Sequence, residues 1–406
     1  MNLTFQRAVD RYAGVPLCAL FSLLHRVLPG RPAPAQPARI LVILLSEMGS
    51  LVLAHAMFAR LKEKYPAASI HALVFARNRE VLDLLDVIPR ENVLTVSDRS
   101  LGDFMSGALA AWRTMQAARF DVVIDCELFA RISSIFSYLS GAPVRVGFFR
   151  HTQEGLYRGT FINRRVLYNP YAHLTQQFLT LAEAVESRAT PEGKRARLPA
   201  SLPAPPQLDF ADADLRDAVT RLHADFPALT GKSLVFVSPS AGILPIRAWP
   251  LDHYRQLCTR LLNEGHAVGV IGMHGDKALA QDLVAHCGSP YCVDLTGYTS
   301  SIRHLLALFH RASLLVTNDG GHGQFAALTP VPTIVLFGPE TPLLYGPLSS
   351  NSYCFHLGIP CSPCLTAYNH RTSPCDGDNQ CLKQISPEEV FAKAREMLTP
   401  NVAWQG

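Results

Sequence analysis

Residues 313–347, SLLVTNDGGHGQFAALTPVPTIVLFGPETPLLYGP, decide the fold of this chain. The apolar run at 314–317 predicts a buried parallel strand, which the turn NDGGHG ends. A short helix is expected at 324–328 and a second apolar strand at 332–337. A strand, a glycine-rich turn and a helix start form an anion site, because glycines admit a ligand close to the backbone and the first helical N–H groups point at it. A phosphate or pyrophosphate is the expected ligand, and a tight βα turn without a ligand is the alternative.

The rest of the chain repeats this alternation of apolar runs and amphipathic segments in two series. The second series begins at residue 233 and leads into the stretch above. The strands expected in the first series lie at 39–45, 69–75, 93–96 and 121–125. Strands that alternate with helices at this spacing predict the α/β class, with two Rossmann-like, doubly wound parallel sheets. Ligands of such folds bind beyond the carboxyl ends of the strands.

Shifts in composition divide the chain into five segments. A stretch rich in Pro, Ala and charge has linker composition, and PAPAQP near the N-terminus is an extended tether. The segments are an N-terminal amphipathic helix and tether (1–36), an N-terminal Rossmann-like domain (37–190), a linker (191–230), a C-terminal Rossmann-like domain (231–385), and a C-terminal helix and tail (386–406). The two Rossmann-like domains are expected to face each other across a cleft.

Composition excludes several classes of protein. A net charge of +4 on 406 residues, without a basic run or a basic stripe interleaved with aromatic residues, does not indicate a nucleic-acid partner. No apolar run reaches the length of a membrane-spanning helix. Half of the ten cysteines are scattered singly, so the chain is not a disulfide scaffold.

The N-terminal residues 5–28 are mostly apolar, and arginines lie among and beside them. From Pro16 onward the leucines follow helical spacing, and the residues before it are expected to form a separate turn. Two interpretations stay open: an amphipathic helix on an anionic bilayer surface, or a helix packed on its own domain. A secretory signal is a weaker alternative, because the apolar core carries His25 and Arg26 and no clean cleavage site follows.

Two strand-end loops carry candidate reactive groups. Glu47 follows the first strand, ahead of a helix expected at 51–64, and suits a general base that removes a proton from a hydroxyl. A carboxylate that complements the helix dipole is the alternative. In the second half Arg247 follows the turn SPSAG, which holds Ser240 and Gly242. A guanidinium beside such a turn can neutralise a leaving diphosphate, or it can pair locally at the surface.

A basic zone at 145–165 interleaves arginines with aromatic residues, and Arg145, Arg150 and His151 are its candidate binding residues. These side chains would match an anionic glycolipid or a lipid diphosphate. A solvated loop whose arginines pair locally is the alternative.

The tail carries Cys361, Cys364, Cys375 and Cys381 in a segment with little core of its own. Four cysteines at this spacing suggest a structural zinc knuckle in a reducing cytosol. Two disulfides or four free thiols are the alternatives, and none of these cysteines is expected to be catalytic.

Taken together, these motifs resemble glycosyltransferase family nine, the lipopolysaccharide heptosyltransferase group. The resemblance covers residues 39–398 and is carried by RILVILLSEMGSLVLAHAMFARLKEKYP, SPSAG with RAWP, TNDGGHGQFAAL, VPTIVLFGPETPLLYGP and the cysteine tail. It implies a GT-B fold and an inverting, metal-independent transfer from a nucleotide-diphospho-sugar. It also implies an acceptor that is a growing surface glycolipid or saccharide.

The resemblance further implies roles for particular residues. Arg247 resembles the basic residue that contacts donor phosphate, and the donor turn begins at Asp319. The candidate donor-binding set is Ser240, Gly242, Arg247, Asp319, Gly320, Gly321, His322, Gly323 and Gln324. Ser50 stands where the family has its catalytic aspartate, and Gly320 and Gln324 stand where it has a threonine and a histidine. Glu47 is then the carboxylate best placed to substitute for the missing base, and Glu47 and Ser50 are the candidate catalytic pair.

The resemblance implies an enzyme of lipopolysaccharide, O-antigen or exopolysaccharide synthesis. It would bind its acceptor in 37–190 and its donor in 231–385, in the cytoplasm and peripherally on the inner face of the bacterial inner membrane. No catalytic cofactor is expected, because no strand-end loop carries a convincing D-x-D motif. A non-catalytic GT-B scaffold, which Ser50 favours, is one alternative. A UDP-sugar 2-epimerase-like enzyme is another, although it needs several carboxylates and histidines around the sugar.

Overall fold

The computed structural model describes residues 3–28, 30–45, 47–128, 130–149, 157–187, 198–199, 201–369, 371–373, 375 and 377–399. The chain divides into two compact units. The first unit comprises Met1–Pro203 and Thr366–Thr372, and the second comprises Ala204–Leu365 and Ser373–Gly406. A seven-residue part of the cysteine tail therefore belongs with the first unit, which the sequence did not indicate.

The first unit is built on a six-stranded sheet whose neighbouring strands are all parallel. Its strands are β1 Arg39–Ile43, β2 Ser69–Phe75, β3 Val93–Val96, β4 Val122–Asp125, β5 Val144–Phe148 and β6 Arg164–Val166. Their spatial order is β3-β2-β1-β4-β5-β6, so the order reverses between β1 and β4. That reversal creates the topological switch point at which doubly wound folds bind ligands.

The helices of the first unit are α1 Leu3–Tyr12, α2 Gly14–Val27, α3 Met48–Leu53, α4 His55–Lys64, α5 Arg79–Leu85, α6 Leu101–Ala118, α7 Arg131–Leu139 and α8 Leu174–Glu183. The single helix expected at 51–64 is wrong, because α3 and α4 are separate and meet at Ala54. The expected turn before Pro16 is a ten-residue helix, α1. Pro16 lies two residues inside α2, still within the first turn, where its missing N–H costs nothing.

The second unit repeats the same topology. Its strands are β7 Leu234–Ser238, β8 Ala267–Gly272, β9 Cys292–Thr296, β10 Leu314–Asn318, β11 Thr333–Leu336 and β12 Ser352–Phe355. All neighbours are parallel, in the order β12-β11-β10-β7-β8-β9, so the reversal lies between β7 and β10. The helices are α9 Asp212–Asp225, α10 Leu251–Asn263, α11 Lys277–Cys287, α12 Ile302–Phe309, α13 Gly321–Ala326, α14 Pro342–Tyr345, α15 Gln380–Lys383 and α16 Pro387–Leu398.

Local sequence explains these elements well. The apolar runs RILVI, VVID, LLVTN and TIVL form central strands, because a parallel strand is covered on both faces and needs apolar side chains at every position. Ser100 caps α6 by accepting the N–H of Asp103, at 3.0 Å. Ser386 and Glu389 form a capping box at α16, with Pro387 at its first position. The predicted pair of doubly wound α/β sheets is confirmed.

Two further expectations need correction. The alternative interpretation of the basic zone at 145–165 as a solvated loop is wrong for its two ends, because the zone contains most of β5 and most of β6. The charged residues in these strands hid them from a search for apolar runs. The helix after the donor turn spans Gly321–Ala326 rather than 324–328, so three residues of the glycine-rich turn are already helical.

The N-terminal helices pack on the first unit along one face. Cys18 of α2 is fully buried, and Phe21 stacks on Tyr138 of α7 with a centroid distance of 4.6 Å. The carboxylate of Asp10 in α1 accepts the N–H groups of Arg131 and Ile132, at 2.7 and 3.1 Å, and so caps the start of α7. The interpretation of a helix packed on its own domain is therefore confirmed for this face. Within the described residues, every helix is too short or too polar to cross a bilayer.

Candidate functional site

The loops after β7 and β10 meet at the switch point of the second sheet. Ser238 ends β7 and pairs in register with Thr317 of β10. The hydroxyl of Ser238 and Nδ1 of His322 are 2.8 Å apart, which joins the two loops directly. Most of the predicted donor-binding residues therefore lie on one edge of this sheet, where its fold binds ligands.

Arg247 provides the cation of this edge, at the end of a short turn, Pro245–Arg247. Its Nη1 lies 3.4 Å from Oδ2 of Asp319 and 3.6 Å from Oε2 of Glu340. The side chain of Arg247 is 13% exposed and that of Glu340 is 2% exposed. The guanidinium expected to contact phosphate is thus flanked by two carboxylates. Glu340 was not recognised from the sequence, although its place just beyond the carboxyl end of β11 is a usable signal.

A second hydrogen-bonded group surrounds Ser240. Its hydroxyl donates to Oδ1 of Asp276 at 2.7 Å and accepts the N–H of Gly242 at 3.1 Å. Burial lowers the pKa of His322 to about 4, and the carboxylate of Asp276 opposes that shift only partly. The His322 imidazole is therefore neutral at pH 7 and offers a hydrogen bond to a ligand rather than a charge.

Asn318 organises this edge, and the sequence did not identify it. Its Oδ1 accepts the N–H of Trp249 at 2.9 Å and the hydroxyl of Tyr254 at 3.1 Å. Its Nδ2 donates to the carbonyl of Pro239 at 2.9 Å. Trp249 is 1% exposed and donates Nε1 to the carbonyl of Ile385, so it is a wedge in the core and is not accessible for stacking on a base.

The glycines of the site have different structural roles. Gly242 has φ of +59°, in the left-handed region that favours glycine. A Cβ on Gly320 would meet only the carbonyl oxygen of Asn318, at 3.9 Å, so the backbone there is open to a ligand. A Cβ on Gly323 would lie 3.2 Å from Cγ2 of Val335, so this glycine lets α13 pack closely on β11.

Gln324 faces into the unit. Its Nε2 donates to the carbonyl of Tyr345 at 2.6 Å, and the residue is 6% exposed. Its Oε1 is buried and has no hydrogen-bond partner among the described residues. An unsatisfied buried acceptor costs free energy, so a ligand donor at this oxygen would be stabilising.

Glu47 and Ser50 lie in the first unit, after β1 and at its switch point. The hydroxyl of Ser50 donates to Oε2 of Glu47 at 2.8 Å. The other carboxylate oxygen, Oε1, accepts from Nη1 of Arg371. Arg371 belongs to the short tail segment Thr366–Thr372 that clusters with this unit, and its side chain is 10% exposed. Both oxygens of the Glu47 carboxylate therefore accept hydrogen bonds, and a third of the side chain is exposed.

A buried ion pair lies at the end of β4, the strand that pairs with β1. Asp125 at the end of β4 is fully buried and pairs with Nη2 of Arg158. Nη2 of Arg158 also donates to the hydroxyl of Ser133 at 2.7 Å. The carboxylate of Glu127 accepts the N–H of Leu45 at 2.7 Å, which ties the loop after β4 to the end of β1. Buried charges with this many partners fix the loop that carries Glu47.

The three predicted acceptor-binding residues are Arg145, in strand β5, and Arg150 and His151, which follow this strand in the sequence. Arg145 is 6% exposed and donates to the backbone carbonyls of Phe161 and Ala142, at 2.8 and 2.6 Å, so the structure gives it a structural role. Burial lowers its pKa to about 10. Arg150 and His151 lie outside the described residues. Acceptor binding by these three residues stays a prediction.

The structure does not show the predicted zinc knuckle. Cys361 and Cys375 are exposed, Cys364 accepts from the Ser373 hydroxyl at 3.2 Å, and Cys375 lies 3.2 Å from Oδ1 of Asn379. In the part of the chain that the structure describes, no group of three or more His, Cys, Asp or Glu side chains could hold a metal ion. All ten cysteines lie within the described residues and none of them forms a disulfide there. The structural zinc stays a prediction.

Comparison with known proteins identifies a family and several relatives that this chain resembles. The profile of a family described as glycosyltransferase family 9 (heptosyltransferase) matches residues 108–373. The chain is 24% identical over 370 residues to lipopolysaccharide heptosyltransferase 2 of Salmonella typhimurium, covering 89% of this chain and 99% of that protein. It is 23% identical over 373 residues to lipooligosaccharide heptosyltransferase 2 of Haemophilus ducreyi, with coverage of 89% and 99%.

Solved structures show the same fold. The E. coli ADP-heptose lipopolysaccharide heptosyltransferase II superposes with a TM-score of 0.68 at 20% identity, covering 89% of this chain and 98% of that one. A glycosyl transferase family 9 protein from Veillonella parvula also gives a TM-score of 0.68, at 17% identity and with coverage of 91% and 99%. These likenesses confirm the GT-B fold predicted from the sequence.

Proposed function

The chain belongs to glycosyltransferase family 9 and is a glycosyltransferase, and from that premise we propose that it moves a sugar from a nucleotide-diphospho-sugar to a lipopolysaccharide-type acceptor. The transfer is proposed to invert the anomeric centre and to need no metal ion. One observation carries the proposal: the loops after β7, β10 and β11 place a cation, an open glycine backbone and a neutral imidazole on one sheet edge. That combination suits a diphosphate joined to hydroxyl-bearing groups.

The proposed donor site uses the second unit. Arg247 faces the donor diphosphate, and the open backbone at Gly320 lets the phosphates approach closely. The neutral His322 offers a hydrogen bond to the uncharged parts of the donor. Donor binding by Gln324 would need its side chain to turn outward, because it faces into the unit. ADP-heptose is the first donor to test, because the E. coli neighbour is described with it.

The proposed chemistry uses Glu47 as general base. Its carboxylate takes the proton of the acceptor hydroxyl while that oxygen attacks the anomeric carbon from the face opposite the diphosphate. The bond from the anomeric carbon to the diphosphate oxygen breaks, and its electrons leave with the diphosphate. Ser50 occupies the position of the family aspartate, and its hydrogen bond to Glu47 makes it a positioning residue for the substitute base.

The N-terminal helices support a location at a membrane surface. Opposite their packed face, α1, α2 and the residue after α2 expose a set of large apolar side chains: Phe5, Val9, Tyr12, Leu17, Leu20, Leu23, Val27 and Leu28. Arg7, Arg11 and Arg26 are exposed on the same helices. Apolar side chains bordered by arginines are typical of helices that lie on anionic bilayers. We therefore propose a peripheral site on the inner face of the inner membrane, next to a lipid-borne acceptor.

Vesicle sedimentation tests the membrane part of the proposal. The purified chain should bind phosphatidylglycerol vesicles, and the double variant Leu20→Glu with Leu23→Glu should lose that binding. Leu167→Glu, at another exposed leucine of the first unit, is the matched control and should bind like the parent. Equal binding by parent and double variant would show that these helices do not contact lipid.

Thermal stabilisation by a panel of nucleotide-sugars tests the donor part. A ligand that binds only the native state raises the midpoint of unfolding, so ADP-heptose, UDP-sugars and GDP-sugars can be ranked without an acceptor. A donor that stabilises the chain then goes into a turnover assay with lipopolysaccharide-core acceptors. Ser50 gives a non-catalytic GT-B scaffold a specific basis, and that alternative predicts donor binding without turnover or no binding at all.

A further inference from the structure

Three cysteine thiols of the second unit lie in contact with one another, away from the donor edge. Cys258 belongs to α10, Cys287 ends α11 and Cys292 begins β9. The thiol of Cys287 is hydrogen-bonded to the thiols of both other cysteines, so it stands in the middle of the group. Because Cys292 is the first residue of β9, the group lies at the amino end of that strand, whereas the donor loops follow carboxyl ends. The proposed function makes no use of these thiols.

The arrangement suits a disulfide better than a metal ion. Over the described ranges of the chain, no group of three or more His, Cys, Asp or Glu side chains could hold a metal. The three thiols are reduced in this structure. Sulfurs that already share hydrogen bonds need only a short approach to reach the S–S bond length of about 2 Å.

Cys287 is the thiol of this group that a small reagent can reach. Cys258 is fully buried and Cys292 is 3% exposed, whereas Cys287 is half-buried between two exposed residues, His286 and Gly288. The hydrogen bonds from Cys258 and Cys292 lower the pKa of the Cys287 thiol, and His286 adds to this shift against the effect of burial. The end of α11 disfavours an anion, so the two thiol donors, and not the helix dipole, stabilise the thiolate.

The two partner thiols are shifted in the opposite direction. The hydrogen bond with Cys287 and burial raise the pKa of Cys258 and of Cys292. Both are therefore protonated at pH 7, and Cys287 carries the largest share of thiolate in the group. The thiolate is the nucleophile of cysteine chemistry, so a reaction with an electrophile begins at Cys287.

We propose that Cys287 is a site of oxidation by hydroperoxides and that Cys292 resolves the oxidised sulfur to a disulfide. The Cys287 thiolate attacks the oxygen of the hydroperoxide that carries hydrogen, the O–O bond breaks, and a sulfenic acid forms while the other oxygen leaves with the electron pair. The Cys292 sulfur then attacks the Cys287 sulfur, the S–O bond breaks, and the hydroxide leaves with the Cys292 proton as water. The two sulfurs lose two electrons in total, and the hydroperoxide accepts them.

Cys292 rather than Cys258 is the resolving thiol, because its backbone can follow the sulfur. β9 is the edge strand of its sheet, and Cys292 begins it after the short loop at 288–291. Cys258 lies in the middle of α10, where helical hydrogen bonds on both sides hold the backbone. A small movement of the start of β9 therefore closes the bond at lower cost than a movement of α10.

Peptide mapping of the full chain under non-reducing conditions tests the proposal. The reduced protein is treated with a small excess of hydrogen peroxide, alkylated with iodoacetamide and cut with trypsin. Trypsin cuts after Lys and Arg, so Cys287 and Cys292 leave together in peptide 278–303, and Cys258 leaves in peptide 256–260. We expect peptide 278–303 without alkylation and lighter by two hydrogen atoms, and dithiothreitol should restore both alkylation sites.

Three variants identify the role of each thiol. Cys292→Ser should stop the reaction at the sulfenic acid, which dimedone then labels at Cys287. Cys258→Ser should still give the lighter peptide. Cys354→Ser is the matched control, because Cys354 is another half-buried cysteine of the second unit, and it should react like the parent.

The parent chain alone decides the outcome if a variant does not fold. Two alkylated cysteines in peptide 278–303, at a peroxide dose that oxidises the exposed thiol of Cys361, would overturn the proposal. A disulfide that joins peptides 256–260 and 278–303 would overturn the assignment of Cys292 as the resolving thiol. Dimedone labelling at Cys287 in the parent, with Cys292 still alkylated, would do the same.

Discussion

Replacement of Glu47 by Gln is the most direct test of the proposed chemistry. Gln preserves the length of the side chain and its hydrogen bond from Ser50, and removes the charge that pairs with Arg371. Loss of a general base lowers turnover by about 10²–10⁴-fold. Every predicted donor-binding residue belongs to the second unit, so donor affinity should stay the same.

The expected cost in stability is small. The Glu47 side chain is 33% exposed, and an ion pair with that exposure contributes about 1 kcal/mol or less. For a domain of about 150–250 residues this corresponds to a decrease of about 2–4 °C in Tm. A catalytic effect of 10²-fold or more therefore cannot be explained by unfolding at 25 °C.

The assay follows nucleoside diphosphate release at saturating donor, next to a titration of donor binding. Glu63→Gln is the matched control, because Glu63 is another glutamate of the first unit that pairs with an arginine, Arg60, at 2.9 Å, and it is 70% exposed. It should leave turnover and Tm near those of the parent. Unchanged turnover in Glu47→Gln would remove Glu47 from the mechanism, and a large loss of donor affinity would contradict the separation of roles between the units.

Three further predictions follow from the contacts described above. Arg371→Gln should lower turnover by roughly tenfold at unchanged donor affinity, because the Glu47 carboxylate loses an anchor, and weaker donor binding would argue against this. His322 has a pKa of about 4 when folded and about 6.5 when unfolded, so the folded chain binds fewer protons. Its contribution to stability is present above about pH 6.5, is lost as pH falls towards 4, and amounts to at most about 3 kcal/mol. Urea unfolding of His322→Gln should show a correspondingly smaller pH dependence, and an identical pH profile would be inconsistent with a buried neutral imidazole. Asp10→Ala should lower the free energy of unfolding by about 2–4 kcal/mol, because it removes the cap of α7 and leaves the guanidinium of Arg131, 9% exposed, without its carboxylate. Urea unfolding measures this change, and resistance of α1 to proteolysis equal to that of the parent would show that Asp10 does not anchor it.

Much of the fold could be predicted because parallel strands are covered on both faces. Their apolar runs are continuous, and β1, β4, β10 and β11 are recognisable without any knowledge of contacts. β5 and β6 were missed because Arg145, Arg164 and Arg165 interrupt their apolar pattern. The Arg145 guanidinium is satisfied by backbone carbonyls that only the folded chain brings to it.

The candidate site, like the fold, could be predicted only in part from the sequence. The turn that begins at Asp319 and the carboxylate of Glu47 were recognisable, because each follows a strand whose end the apolar pattern marks. The residues that pair with these groups were not recognisable from the sequence. Arg371 lies 324 residues from Glu47 along the chain, and nothing in the local sequence of either residue points to the other.

The amino-acid sequence by itself determined the elements, their α/β order and the loops in which reactive side chains lie, since these depend on the local pattern of apolar residues and glycines. Only the tertiary structure decided the charge state of the site. It placed the carboxylates of Asp319 and Glu340 on one guanidinium, and it tied Glu47 to the tail. Electrostatic energies depend on distance and burial, and both arise only when segments far apart in sequence are packed together.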